Sequence, residues 1–215
     1  MVDAPVRSRL APTLLLGAVF LPVLYFGVQV ALAPTFPNYN FLTDATSLLG
    51  SDQSPYAVVF NAVAFLCGIC GAAGGIGLFI GLRAEGCPLI LNALIAVALL
   101  LAAAGCIWAG IFPLPDPRHG ANPSAPALIA LPLLLAVAAF IVGGLKRWRL
   151  YFVANLVLLV VMVLVMSGVI PIDRAQYGGL LQRLLAFVAF VPIAVAGLAL
   201  IRRRGRESGS NQSVG

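Results

Sequence analysis

The sequence predicts an all-α polytopic membrane protein, a bundle of six transmembrane helices with a short interfacial helix in the first outer loop. Hydrophobic residues make up 61% of the 215 residues and charged residues only 9%, whereas soluble domains carry about 25% charged residues. Six continuous apolar stretches are long enough to cross a bilayer as helices, which takes about 20 residues each. Continuous stretches also argue against a transmembrane β-barrel, whose strands alternate apolar with polar residues.

The helices and their flanking segments follow from these stretches. The six spans lie near residues 11–32, 57–82, 88–112, 126–145, 150–170 and 179–201. They form one transmembrane domain, residues 11–201, between an N-terminal segment, residues 1–10, and a polar tail, residues 202–215, whose composition predicts disorder. A tight link at residues 83–86 makes the second and third spans an antiparallel hairpin.

The first span has two interpretations. Arg7 and Arg9 precede it and residues 31–33 read Ala-Leu-Ala, which is the pattern of a cleaved signal peptide. Its apolar run is longer than the roughly 7–15 residues of a signal peptide, and Pro34 would directly follow the cut. We therefore expect a helix that stays in the protein.

The distribution of basic residues predicts the orientation. Ten of the 13 Lys and Arg residues fall on one side of the predicted membrane and three on the other, namely Arg118, Arg174 and Arg183. By the positive-inside rule both termini are cytoplasmic, as in a multi-pass protein of the bacterial inner (plasma) membrane. The net charge of +6 is then a topology signal that also attracts anionic lipids. We expect membrane lipids as partners, no nucleic acid, and no cofactor or metal; the sequence predicts no particular protein partner.

The first outer loop, residues 33–56, is the longest connection. Leu42, Ala45, Leu48 and Leu49 recur at helical spacing, which predicts a short amphipathic helix at the interface. Gly50 would end this helix, since glycine is common just after a helix C-terminus. Ser54 and Pro55 would cap and begin the second span. This helix either rests in the headgroups or covers the outer ends of the bundle as a lid.

Polar residues inside the spans are informative because they are costly there. Arg183, Asn61 and Gln29 all fall in the outer half of their spans. Arg183 either snorkels to the headgroups or faces the bundle and pairs with an outer carboxylate, Asp44 or Asp116. The two other asparagines within spans, Asn92 and Asn155, are expected to form hydrogen bonds between helices.

The second span contains cysteines and closely spaced glycines. Cys67 and Cys70 have the spacing of a redox motif, but they fall near mid-membrane and no cysteine lies in an outer loop, so we expect free thiols. The spacings Gly71–Gly75 and Gly77–Gly81 are typical of close helix packing.

The stretch Gly-Ile-Phe-Pro-Leu-Pro-Asp-Pro-Arg-His-Gly, residues 110–120, contains the only histidine, His119, close to Asp116 and Arg118. Three prolines in six residues predict a rigid turn after the third span. Asp116 either bonds to the nearby backbone of that turn or joins His119 in a site, and the sequence leaves both open.

Three segments carry a resemblance to a known family. Residues 36–61, 109–120 and 178–184 resemble the signature blocks of a bacterial membrane family, domain of unknown function 998, over most of the chain from the first span to the sixth. The resemblance implies a six-helix protein distantly similar to the Frag/DRAM/Sfk group of eukaryotic membrane proteins, some of them linked to lipid handling. The matching positions are Pro37, Tyr39, Leu49, Gly50, Pro55, Asn61, Phe112, Pro113, Asp116, His119, Gly179 and Arg183.

These observations predict a ligand pocket on the outer side. Its candidate residues are Tyr39, Asp44, Asn61, Asp116, His119 and Arg183. The expected function is non-catalytic binding of a lipid or small amphiphile. One alternative is a lipid hydrolase or transferase, with His119 as base, Asp116 or Asp44 orienting it, and Ser47 or a water as nucleophile. The other is a small-solute transporter whose two halves are inverted repeats.

The predicted orientation is tested by two reporter fusions. Alkaline phosphatase fused after Pro117 should be active, because the residues there are predicted to lie outside the cytoplasm, and the same reporter fused after Gly215 should be inactive. An inactive fusion at Pro117 together with an active one at Gly215 would reverse the topology.

Overall fold

The computed structural model describes residues 4–122 and 124–212, and the side chains of residues 10–122 and 124–205. The described chain contains six α-helices, which are α1 (Ala4–Leu32), α2 (Ala57–Ala84), α3 (Leu89–Ile111), α4 (Ala125–Ile141), α5 (Arg149–Met166) and α6 (Arg174–Gln212). All six are long and apolar enough to cross a membrane. The predicted fold class, a polytopic bundle of six transmembrane helices, is therefore confirmed.

The segments that connect the helices lie at the two ends of the bundle. One end carries residues 33–56, 112–122 and 167–173 and is called the cap end. The other end carries residues 85–88 and 142–148, together with most of the arginines, and is called the arginine-rich end.

Two helix boundaries differ from the predicted ones for local reasons. α4 ends at Ile141 rather than near residue 145, because the chain turns at Gly143 and Gly144 into a 3-10 helix, Gly143–Trp148. α6 begins at Arg174, five residues earlier than expected, and Asp173 caps it by accepting a hydrogen bond from the backbone N–H of Ala175 (2.9 Å).

The polar tail also differs from its prediction. α6 continues through Gln212, over most of the segment that composition assigned to a disordered tail. The run of arginines after the span extends the helix, since arginine is a good helix former. At the other end α1 already begins at Ala4. Residues 1–3 and 213–215, which belong to the predicted terminal segments, lie outside the described residues.

The first cap-end loop contains less helix than the leucine spacing predicted. The regular part is a five-residue 3-10 helix, Thr46–Gly50. Leu49 is fully buried against the bundle, whereas Leu42 is exposed and lies outside this turn. The second span begins at Ala57, after a turn through Ser54, so the predicted start at Pro55 is two residues early.

α1 packs closely against α2. A Cβ atom added at Gly74 would lie 2.6 Å from the backbone nitrogen of Ala18, and one at Gly77 would lie 2.7 Å from that of Leu15. Gly71 faces both α1 and α3, while Gly75 has no neighbour closer than 3.7 Å and Gly81 packs on a side chain of α6. The backbones of α1 and α2 can approach this closely only because glycines lie between them.

Asn92 and Asn155, inside the spans, join helices, as predicted. Asn92 of α3 donates its side-chain amide to the carbonyl of Phe79 in α2 at 2.9 Å. Asn155 of α5 donates to the carbonyl of Val188 in α6 at 3.0 Å. Each bond satisfies a polar group that would otherwise be unpaired in hydrocarbon.

The close contact of α1 with α2 gives a stability prediction. Gly74→Ala should destabilise the protein by about 1–3 kcal/mol, because the new methyl group would collide with backbone that cannot move aside. Thermal unfolding in detergent measures the loss.

Gly27→Ala is the matched control on α1, since a Cβ there meets nothing within 4 Å. Equal melting temperatures for the two variants would show that the helices have room to separate and would refute the tight contact.

Candidate functional site

A cavity of about 300 Å³ lies inside the bundle at the cap end. Residues of α1, α2, α3, α4 and α6 form its walls, and most of them are apolar. Its polar side chains include Thr46, Ser47, Asn61, His119, Asn122 and Gln182. None of the described residues that line it is Asp, Glu, Lys or Arg. The cavity is therefore a mostly apolar pocket with a few polar groups.

The first cap-end loop contributes Thr46 and Ser47 to the wall of this cavity, and polar side chains of the helices hold the loop in place. Gln182 of α6 accepts a hydrogen bond from the backbone N–H of Thr46 at 2.8 Å. Asn61 of α2 donates to the carbonyl of Gly50 at 2.9 Å. The hydroxyl of Thr46 donates to Gln29 of α1 at 3.2 Å. Three helices thus bind one short segment of loop.

Arg183 binds the same loop from α6, and it does so through carbonyl oxygens. Its Nη1 lies 2.9 Å from the carbonyl oxygens of both Phe41 and Asp44, and 2.8 Å from that of Gly179. The predicted pair with a carboxylate is wrong, since neither Asp44 nor Asp116 forms a salt bridge with it in the described structure. The guanidinium faces the loop and does not point out into lipid.

The loop comes this close to α6 at a glycine. A Cβ added at Gly179 would lie 2.8 Å from the backbone nitrogen of Asp44. The backbone N–H of Leu180 also donates to the carbonyl of Leu42 at 3.0 Å. Arg183 can therefore reach the loop carbonyls because the residue one turn earlier on the same helix has no side chain.

Tyr39 completes the surroundings of Arg183. The Nη2 group donates to the Tyr39 hydroxyl, and the guanidinium lies 5.7 Å from the centre of the Tyr39 ring and 4.7 Å from that of Phe41. Burial raises the pKa of the Tyr39 phenol, while Arg183 opposes this shift. Tyr39 is thus a neutral partner, and carbonyl dipoles and ring faces stabilise the cation.

Asp44 shapes the loop and does not line the cavity. Its carboxylate accepts hydrogen bonds from the backbone N–H of Asn40 at 2.8 Å and from the hydroxyl of Thr43 at 2.9 Å. Such local bonds are what aspartate commonly makes in turns. Tyr39, Asp44 and Arg183 thus form a group beside the cavity.

Asp116 likewise stabilises its own turn. It accepts from the backbone N–H of Arg118 at 2.9 Å and pairs with the Arg118 guanidinium at 2.6 Å. The side-chain hydrogen bond from Arg118 lowers the pKa of Asp116 from 3.8 to about 2. Because the folded value lies below the unfolded one, this contact stabilises fully above about pH 4 and is lost as the pH falls through about 2.

Among residues 110–120, Pro113 and His119 line the cavity. Nδ1 of His119 lies 2.7 Å from the carbonyl oxygen of Phe112. A carbonyl oxygen can only accept, so Nδ1 carries the proton when the ring is neutral and Nε2 is the acceptor. Of the two alternatives for Asp116, its carboxylate bonds within its own turn, and in the described structure the His119 ring bonds to a backbone carbonyl instead of that carboxylate.

Asn122 and Gln182 are cavity residues that the sequence analysis did not single out. Asn122 donates to the carbonyl of Gly105 in α3 at 2.9 Å and accepts from the backbone N–H of Ser124 at 3.1 Å, which fastens the start of α4. A signal existed for Gln182, since a polar residue one turn inside a span needs a partner. Nothing in the sequence distinguishes Asn122 from an ordinary loop asparagine.

The cysteines contribute thiols to the cavity without forming a pair. Cys67 and Cys106 both line it, and all four cysteines are free. Among the described residues, no three His, Cys, Asp or Glu side chains come together as a metal site would need.

Hydrogen–deuterium exchange tests whether Arg183 holds the loop. Arg183→Leu should increase hydrogen–deuterium exchange in residues 36–50, because the carbonyls of Phe41 and Asp44 lose their donor at a cost of roughly 1–3 kcal/mol. Arg174→Leu is the matched control, since Arg174 is exposed and donates to the end of α5. Equal exchange in the two variants would mean that Arg183 does not hold the loop.

Comparisons with known proteins identify the family. A comparison with curated proteins and another with solved structures found no match. The family described as "Protein of unknown function (DUF998)" matches residues 18–199, from α1 to near the end of the apolar part of α6. This match covers well over half of the chain. The chain therefore belongs to the DUF998 family.

Proposed function

We propose that this membrane protein binds a small uncharged amphiphile in the cap-end cavity. The observation that carries the proposal is a mostly apolar cavity between helices whose loop end has a few polar side chains and no Asp, Glu, Lys or Arg among its described lining residues. Ligand sites in proteins combine these features, an apolar lining with a few polar groups that fix orientation.

The volume limits the size of the ligand. Known ligand pockets measure about 300–1,000 Å³, and this cavity, at about 300 Å³, is at the small end. It suits one short chain or a small ring system, and the rest of a larger lipid would have to remain in the bilayer. Apolar groups of α3, α4 and α6, such as Ala102, Leu128 and Phe190, would contact the apolar part.

The charge of the surroundings selects an uncharged head group. The nearest cation on α6, Arg183, is bound to loop carbonyls, and Arg118 is paired with Asp116. A phosphate or carboxylate placed in the cavity would have no Lys or Arg among the described lining residues to pair with and would be costly to bury. A hydroxyl, in contrast, can donate to Nε2 of His119 or accept from an amide.

The side of the membrane follows from the basic residues. The arginine-rich end is expected in the cytoplasm by the positive-inside rule, which puts both termini there and the cap end outside. The ligand would then come from the outer leaflet of the membrane, which we take to be a bacterial inner membrane.

The two alternative functions have less support. A hydrolase of the usual kind would use a carboxylate to orient His119, and in the described structure the carbonyl of Phe112, not the carboxylate of Asp44 or Asp116, is the partner of its ring. Ser47 lines the same cavity as His119, which leaves it the best candidate nucleophile if the protein is an enzyme. A proton- or ion-coupled transporter commonly has a carboxylate within a span, and the sequence contains none there.

Native mass spectrometry with glycerol monodecanoate, an uncharged single-chain amphiphile, tests the proposal. The purified protein should retain one molecule, and Ala109→Leu should weaken retention at least tenfold because the larger side chain fills the cavity from α3. Ala104→Leu is the matched control, since Ala104 lies on the exposed side of the same helix.

Two outcomes would contradict the proposal. Equal retention by the Ala109→Leu and Ala104→Leu variants would place the bound molecule outside the cavity. Binding of the phosphate analogue, decanoyl lysophosphatidic acid, as tightly as the uncharged molecule would refute the selection by charge.

A further inference from the structure

A second cavity, of about 340 Å³, lies at the arginine-rich end. It is formed where the 3-10 helix Gly143–Trp148 packs against α6. Its lining includes the cations Lys146, Arg147, Arg202 and Arg203, together with Trp148. No described Asp or Glu side chain lines it. This cavity is thus strongly basic, whereas the described lining of the cap-end cavity contains no Lys or Arg.

The basic residues that line this cavity differ in their hydrogen-bond partners from other basic residues at the same end. Arg149 donates to the carbonyls of Ala139 and Phe140 at the C-terminus of α4, at 3.1 and 2.9 Å. Arg83 donates to the carbonyl of Cys87 at 2.6 Å. These two arginines satisfy backbone groups of the protein. Lys146 and Arg202 have no hydrogen bond or ion pair among the described side chains and remain available to a ligand.

The one acidic group nearby is already neutralised. Glu85 accepts from Nε of Arg203 at 2.9 Å, and its side chain is only 11% exposed. It lies behind the turn, where a Cβ added at Gly144 would be 3.2 Å from its carboxylate. The remaining three cations of the cavity therefore give an excess of positive charge that an anion can balance.

The position along the helix axis points to a lipid as the source of the anion. The cavity lies where the spans Gly143–Met166 and Arg174–Gly205 meet the arginine-rich end. Trp148 is half-buried there, and tryptophan is enriched at the level of the headgroups. Basic pockets between transmembrane helices are known binding sites for anionic headgroups. Lys146 and Arg202 could hold the phosphate while the lipid chains stay in the bilayer.

From these contacts we infer that the arginine-rich end contains a binding site for the phosphodiester headgroup of an anionic phospholipid. Lys146 and Arg147 of the α4–α5 turn and Arg202 of α6 surround the phosphate, and Trp148 packs beside the glycerol. The site is separate from the cap-end cavity and does not depend on the ligand proposed there.

The test compares phosphatidylglycerol with phosphatidylcholine bound to the full-length protein, using native mass spectrometry after release from mixed-lipid nanodiscs. The protein should retain phosphatidylglycerol preferentially. The double variant Lys146→Gln/Arg202→Gln should lose this preference by roughly thirtyfold, since each basic side chain near a membrane surface contributes about 1 kcal/mol. Both side chains are exposed, so the variant should fold, which its melting temperature in detergent verifies.

The matched control removes two charges from the same end without touching the cavity. Arg83→Gln/Arg204→Gln should keep the preference for phosphatidylglycerol, because neither residue lines the cavity. Equal losses in the two double variants would mean that only the general surface charge attracts the lipid, and this would overturn the site. Protection against thermal unfolding by inorganic phosphate but not by phosphatidylglycerol would overturn the lipid as the source of the anion.

Discussion

A polar side chain inside a membrane span must find a partner within the protein, and this constraint shapes the whole cap end. Gln29, Asn61, Gln182 and Arg183 come from three helices, and all of them bind the loop that follows α1. The loop thereby satisfies groups that hydrocarbon cannot. In return, the helices hold a five-residue turn, Thr46–Gly50, against the cavity, and Thr46 and Ser47 of this turn line it.

The fold was predictable from the sequence because the bilayer permits few alternatives. The lengths of the apolar runs fixed the number of spans, and the cost of an unpaired amide in lipid indicated that Asn92 and Asn155 join helices. Which glycines of α2 contact α1 was harder to predict. Their spacing suggested close packing, but the rotation of α2 about its axis decides which ones meet α1. Gly74 and Gly77 do so, and Gly75 does not.

The candidate site was predictable only in part. A charge within a span left two interpretations of Arg183, and its partners are main-chain carbonyls at residues 41 and 44, which no side-chain pattern reveals. The same reason applies to His119, whose Nδ1 donates to the carbonyl of Phe112 and not to the carboxylate of Asp116. Asp116 and His119 are only three residues apart in the sequence. The path of the backbone through the proline turn nevertheless directs their side chains to different partners, Arg118 and the carbonyl of Phe112.

The way in which the loop is held has a consequence for how sequences of this fold can diverge. Arg183, Asn61 and Gln182 bind main-chain atoms of the loop, at Phe41, Asp44, Thr46 and Gly50. Every residue type except proline offers the same carbonyl and N–H groups. The bonds themselves therefore do not depend on which side chains the loop carries, whereas they do depend on the arginine and the amides of the helices. Loops of varied composition can close the same helical frame, and a cavity of different chemistry can lie beneath each of them.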